Sequence, residues 1–412
     1  MKSLRFARAW WLIAVFAAGV LVAASPSAGR VVADPGSANW VIAQTPNPGY
    51  YGNILLGLSA RTGSDVWAVG VQATQTSNDT LALHWNGTSW AAVQTPNPWP
   101  ECQDGDILWG GNSLSAVDAV SANDVWAVGS ECYSANEIIE HWNGSAWSLV
   151  ANTRRPDGFD STAALYDVDA ISATNVWAVG YSGSNGLDSL IEHYNGSTWS
   201  LVQAAPGSSG YLTSVSATSP NDVWAVGSAD DGNNIVEHYN GSTWSVVPSP
   251  QPGSGSTLDS VDALSPTDAW AVGTKRGFGA QESTFTMHWD GSAWTEVPSP
   301  NPRNTGDARN ELRSVVVISK RNAWAVGTYE NDQTNFHQDR TLTIHWNGSE
   351  WSIVSSPTPG ATGQLTAVAS ASSLMPGTNS GSRQIFSAGF FSNYEKNIYD
   401  QHYTLPQTLV MR

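Results

Sequence analysis

The hexapeptide Asp65-Val-Trp-Ala-Val-Gly70 returns five more times, at Asp124–Gly129, Asn175–Gly180, Asp222–Gly227, Asp268–Gly273 and Asn322–Gly327. Each copy is followed by His-Trp/Tyr-Asn/Asp-Gly and a further Trp, as in His84 to Trp90 or His345 to Trp351. The central Trp residues of adjacent copies are 46 to 59 residues apart. Short strands repeating at that period mark a β-propeller, in which each repeat is one blade. Repeated residues build blades. Specific chemistry must therefore come from residues that do not repeat.

Each unit supplies four strands. Strand A reads Leu-x-x-Val-x-Ala, as in Leu114–Ala119 or Leu165–Ala170. Strand B is the Val-Trp-Ala-Val-Gly segment. Strand C ends at the His-Trp/Tyr pair. Strand D starts at the last Trp and stops at Pro-rich segments such as Thr95-Pro-Asn-Pro98. The Asn-Gly or Asp-Gly between C and D favours a type I′ hairpin.

Seven histidines, 84, 141, 193, 238, 288, 345 and 402, fit the strand C pattern. The seventh unit is degenerate: Leu365–Ser370 as A, Ile385–Gly389 as B, and a C strand ending at His402-Tyr403. It has no following Trp. An orphan strand D, Trp40-Val-Ile-Ala-Gln-Thr-Pro-Asn-Pro48, stands at the other end of the chain. Pairing the two closes the ring and removes an open sheet edge. The rival reading uses Thr408–Met411 as the fourth strand. The fold class is thus all-β, a seven-bladed propeller of four-stranded antiparallel blades, closed by the N-terminal strand. The expected organisation is a signal peptide over 1–28, a linker over 29–37 and one propeller over 38–412. Its blades span about 49–98, 99–152, 153–205, 206–250, 251–302, 303–359, and 360–412 with strand 40–45.

Lys2, Arg5 and Arg8 precede an apolar run from Trp10 to Ala24 and then small residues, the pattern of a secretory signal peptide. The expected location is outside the cell. Without residues 1–28 the chain holds 15 basic and 35 acidic groups, a net charge near −20. Such a surface repels nucleic acid and anionic lipid. The two cysteines, Cys102 and Cys132, are expected to form a disulfide in an exported protein.

The repeat resembles the Trp-Ala-Val-Gly repeats of secreted bacterial propellers, and more distantly kelch, BNR and photosystem-assembly-factor propellers. The resemblance runs over about residues 38–403. Only four positions separate Asp290 from Trp294, unlike a BNR Asp-box, and the kelch double glycine is missing. The resemblance implies fold and transfers no catalytic residue.

The repeated Trp and His residues are read as blade packing. Asp118, Asp169 and Asp262 share one register of the innermost strand and are candidates to hold a cation or water in the channel. Glu140, Glu192 and Glu237 form a second set, expected to pair with the adjacent His or with strand backbone. No HExxH, P-loop or GxSxG motif is present, and no catalytic residue, metal ligand or cofactor is assigned. Arg154-Arg155, Arg303, Arg309 and Arg313 form at most a weak arginine cluster. His337 is the one histidine outside the strand C pattern.

The A–B and C–D turns are short and uniform, whereas the B–C and D–A loops vary. A rigid scaffold with one variable loop face puts binding on that face. Trp99 and Trp109 are the two Trp residues outside both the leader and the repeat, with Glu101, Cys102, Asp104 and Asp106 between them. Tyr133 follows Cys132 in the B–C loop of the same blade. Trp99, Glu101, Asp104, Asp106, Trp109 and Tyr133 are the candidate ligand site. The expected partner is a carbohydrate or an extracellular protein, bound by a monomer. A glycoside hydrolase or lyase, and a pure scaffold, are the alternatives.

Overall fold

A computed structural model describes residues 40–75, 77–98, 111–131, 136–150, 162–183, 188–253, 255–277, 281–304, 308–330, 338–371, 384–392 and 406–412, and the backbone alone of 394–396 and 401–403. Seven four-stranded antiparallel sheets form a ring, each a blade with strand A innermost and strand D outermost. Blade one runs Gly52–Thr62, Asp65–Ala73, Asn78–Trp85 and Trp90–Val93. Blades two to six repeat this order. No helix occurs among the described residues.

The repeated aromatics bind each blade to the next. Trp67 of strand B is buried and stacks on His84 of its own blade at 4.3 Å. It also meets Trp142 at 5.1 Å and the edge of Trp147 at 5.2 Å, both in blade two. Trp126, Trp177, Trp224 and Trp270 make the same contacts one blade further on. Edge-to-face and tilted contacts of this kind add to the gain from burying the rings.

Each strand C histidine is anchored to the residue that opens strand B. His84 Nε2 lies 2.8 Å from Asp65 Oδ1, and His141, His238 and His288 pair with Asp124, Asp222 and Asp268 in the same way. His193 and His345 pair with Asn175 and Asn322. The bond from His84, together with Arg61, holds the Asp65 carboxyl below its usual range.

Strand A carries a bulge in every blade. In blade one the register shifts between Leu55 and Gly57, and in blade three between Leu165 and Asp167. The kink drives the strand A backbone onto strand B, which explains the invariant Gly. A Cβ at Gly70 would lie 2.0 Å from the Ile54 carbonyl oxygen.

Blade seven corrects the sequence reading. Its strands are Thr362–Ala371, Gln384–Ser392, Gln407–Met411 and the N-terminal Ile42–Ala43. The N-terminal strand closes the ring as expected. The third strand, however, is Gln407–Met411; His402 and Tyr403 lie instead in a separate two-stranded ribbon, Tyr394–Lys396 with Gln401–Tyr403. Arg412 takes the place of the strand C histidine, its guanidinium 4.8 Å over the Trp85 ring of blade one. The Pro-Asn-Pro stop explains the match. Asn97 Oδ1 accepts the Thr80 N–H at 2.8 Å, and Asn47 Oδ1 accepts the Thr408 N–H at 2.7 Å.

The C–D turn also differs from expectation. Four residues, Asn86–Ser89, separate the paired Trp85 and Trp90, so it is not a two-residue type I′ turn. Only the Gly needs positive φ, +94° at Gly87. The Asn side chain closes the turn, its Oδ1 accepting from Thr88 N at 2.9 Å and Ser89 N at 3.0 Å.

Candidate functional site

The channel is walled by strand A, and two rows of side-chain oxygens stitch its blades together. In the lower row, four residues after the Leu, Asp118 Oδ2 accepts the Ala170 N–H at 2.9 Å. Asp169 does the same for Ala217, Ser216 for Ala263, and Asp262 for Val317. Ser59 Oγ accepts the Ala119 N–H and donates to Asp118 Oδ1. In the upper row, two residues after the Leu, Asp167 takes the Val215 N–H, Ser214 that of Val261, Ser260 that of Val315 and Ser314 that of Val368. Each oxygen satisfies a backbone donor of the next blade. Val316 and Ala369 carry no such oxygen.

The structure therefore brings Asp118, Asp169 and Asp262 into one ring and gives each a backbone partner. Burial pushes the Asp118 and Asp169 carboxyls up, and mutual repulsion pushes Asp169 further. Asp167, one row above, is pushed up to about 6, mainly by burial. No group of three His, Cys, Asp or Glu among the described residues is arranged to hold a metal ion.

Glu140, Glu192 and Glu237 are buried and face away from the histidines, which are held by Asp or Asn. The expected pairing with His does not form. Glu237 clasps the D–A loop of its own blade, accepting from Ala205 N at 3.0 Å and Ser208 Oγ at 2.5 Å. Among the described residues Glu140 has no partner for either carboxylate oxygen, and burial pushes it up to about 8.

The loop-site residues Trp99, Glu101, Cys102, Asp104, Asp106, Trp109, Cys132 and Tyr133 lie outside the described residues, as do Arg154, Arg155 and His337. Segments 99–110 and 132–135 join strand ends of the face on which the B–C and D–A loops emerge.

At that face the mouth of the channel holds residues that the sequence reading passed over or, for Arg309 and Arg313, named only as part of a weak arginine cluster. The bulge puts one extra residue into each strand A: Leu56, Ser115, Tyr166, Thr213, Asp259, Arg313 and Thr366. This slot does not repeat. Tyr166 stands beside Tyr211, the residue before the Leu in the next blade, with ring centroids 6.2 Å apart. Tyr181 of strand B completes a three-ring cluster, 5.6 Å from Tyr166. All three rings are partly exposed. Burial and the neighbouring phenols hold the Tyr166 hydroxyl well above its usual range, so it stays a donor at any physiological pH.

Further round the ring, on blade six and at its joint with blade five, the corresponding positions are charged. Glu311 Oε1 accepts from Arg309 at 2.9 Å and its Oε2 from Arg313 at 2.6 Å. Glu282 Oε2 lies 3.5 Å from Arg309 Nε. Burial alone would raise the Glu311 carboxyl, but Arg313 and Arg309 hold it below its usual range. Asp339 bonds Gln364 at 2.5 Å, and burial pushes its carboxyl up. The signal that finds Tyr166 and Arg313 is the x after Leu in Leu-x-x-Val, the variable slot inside the repeat.

No protein-family model matches this chain, and no curated protein does. Among solved structures, YCF48 bound to D1 peptide aligns at 12% identity over 90% of this chain and 94% of that one, with a TM-score of 0.50. YCF48 from Cyanidioschyzon merolae aligns at 14% identity over 91% and 98%, with a TM-score of 0.50. An ulvan lyase from a new polysaccharide-lyase family aligns at 10% identity over 83% and 92%, with a TM-score of 0.48. Likeness at these identities establishes the fold. The chain is a seven-bladed β-propeller with an aromatic and charged mouth on its variable loop face.

Proposed function

We propose that this propeller is an exported binding protein that lays a carbohydrate chain across the loop-face mouth of its channel. The carrying observation is the Tyr166–Tyr181–Tyr211 cluster. Tyr166 stands where the bulge slots of the other blades hold Leu, Ser, Thr, Asp or Arg, and the partly exposed Tyr181 and Tyr211 pack beside it. Aromatic faces with hydroxyl tips suit sugars, which present both apolar C–H faces and hydroxyl edges. The acidic surface disfavours nucleic acid and anionic lipid as partners.

The leader-like residues 1–28 support action outside the cell, where free and surface-bound glycans are the abundant polar polymers. A glycan array probed with residues 29–412 tests the reading. Retention of at least one glycan class, weakened in Tyr211→Ala, is the expected result. An array with no retained glycan overturns it.

A further inference from the structure

Arg309, Glu311 and Arg313 form an unusual group in a chain this acidic. One carboxylate braces two guanidinium groups, and each arginine keeps unused donors. No acceptor among the described residues reaches Nη1 of either arginine, and Arg313 Nε has no partner. Yet neither side chain is sealed off: Arg309 is 35% exposed and Arg313 24%. A guanidinium held in place with donors to spare is prepared for a planar oxyanion, because its fork matches a carboxylate's two oxygens and little freedom is lost on binding.

The surrounding carboxylates balance the charge of the two arginines, so the preference rests on the shape of the fork and its spare donors. Glu311 and Glu282 already face the arginines. Asp339 is bonded to Gln364. Asp259, in the neighbouring bulge slot of blade five, adds negative charge at the mouth.

We propose that the Arg309–Glu311–Arg313 group is the subsite for the carboxylate of a uronate ring, in the glycan chain whose other rings lie on the tyrosines across the mouth. The proposal rests on the carbohydrate reading above and specifies its acidic sugar. Arg313 and Arg309 supply the charge and the fork; Glu311 positions them. The tyrosines fix the chain direction relative to the charge.

Calorimetric titration with three probes tests it: a galacturonate hexamer, a neutral mannose hexamer and hexaglutamate. The uronate hexamer should bind at least about tenfold more tightly than the neutral one, the scale of one charge-assisted bond. Arg313→Gln should bring uronate binding down to the neutral level and leave the neutral hexamer unchanged. Arg313→Lys, which keeps the charge and loses the fork, should fall between. Asp259→Asn should tighten uronate binding a few-fold. Melting curves of each variant establish that it is folded, and a variant that fails to fold is replaced by Arg309→Lys.

Equal binding of uronate and neutral hexamers overturns the proposal while leaving the carbohydrate reading intact, provided Tyr211→Ala weakens both. Hexaglutamate binding as tightly as the uronate also overturns it, since the group is then a general acid-binding site. Failure of both hexamers, in a protein whose array is empty, removes the carbohydrate reading itself.

Discussion

Trp40 and Trp324 meet edge to face, ring centroids 5.8 Å apart and planes at 89°. The same contact joins Trp270 to Trp351 and Trp224 to Trp294 between consecutive blades. Trp40 therefore fills the strand D position of blade seven, although it belongs to the other end of the chain. Around it, Val41 and Arg412 exchange backbone hydrogen bonds of 2.9 and 3.1 Å.

Trp40→Ala should destabilise the fold by ~3–5 kcal/mol, the usual cost of truncating a buried Trp. Deleting residues 29–48 should cost at least as much, because it also exposes the edge of Gln407–Met411. Thermal melts decide it. A truncated protein melting within a degree or two of the full chain would show that Trp40 contributes nothing to closure.

The channel carboxylates are expected to act as joints between blades. Asp118→Ala leaves the Ala170 N–H without its acceptor and removes the bond from Ser59. A cost of about 1–3 kcal/mol follows. Asp118→Asn, which keeps an acceptor oxygen, should recover part of it. Urea unfolding of the two variants gives the comparison. If Asp118→Ala is as stable as the parent, the stitching has no energetic weight.

Stability should fall as pH rises from about 5 to above 8. Glu140 titrates at about 8 in the folded protein against 4.5 when unfolded. Between these values the folded state holds a proton that the unfolded state has released, so its contribution is complete below 4.5 and lost as pH passes 8. Asp167, raised to about 6, acts in the same direction. His193 and His345, lowered by burial, oppose the trend where unfolded His titrates, near 6.5. Glu140→Gln should stabilise the protein at pH 8.5 by roughly 1–3 kcal/mol and have little effect at pH 5. An equal effect at both values would dismiss Glu140 as the titrating group.

At the mouth, Tyr211→Ala should weaken glycan binding by about 1–3 kcal/mol, a typical value for an aromatic stacking platform. The melting temperature should change little, since the ring is partly exposed. A large drop in melting temperature with unchanged binding would make the cluster a local core.

The ring was legible because every blade must solve the same packing problem with the same residues. Trp67, His84 and Trp90 recur since each blade meets its neighbour through them. Blade seven was legible only in part. His402-Tyr403 imitates the end of strand C, whereas Thr408-Leu-Val-Met-Arg412 follows the Thr80-Leu-Ala-Leu-His84 pattern with Arg in place of His. The leading Thr, bonded to the Pro-Asn-Pro stop, was the better guide. The role of Asp118 was hidden because it depends on which N–H the bulge leaves free. Tyr166 was hidden for the same reason, and Arg313 stood out only as a member of a weak arginine cluster: without the bulge, their slot looks like any other strand position.

Closure through Ile42–Ala43 also sets an order in time. Residue 40 leaves the ribosome long before residue 411, so the earliest-made strand of the ring is the last to find its partners. Until then, blades one to six can stack only as an open arc. A chain interrupted before Gln407 has no seat for Trp40, so the ring itself distinguishes chains that reach Met411 from those that stop short of it.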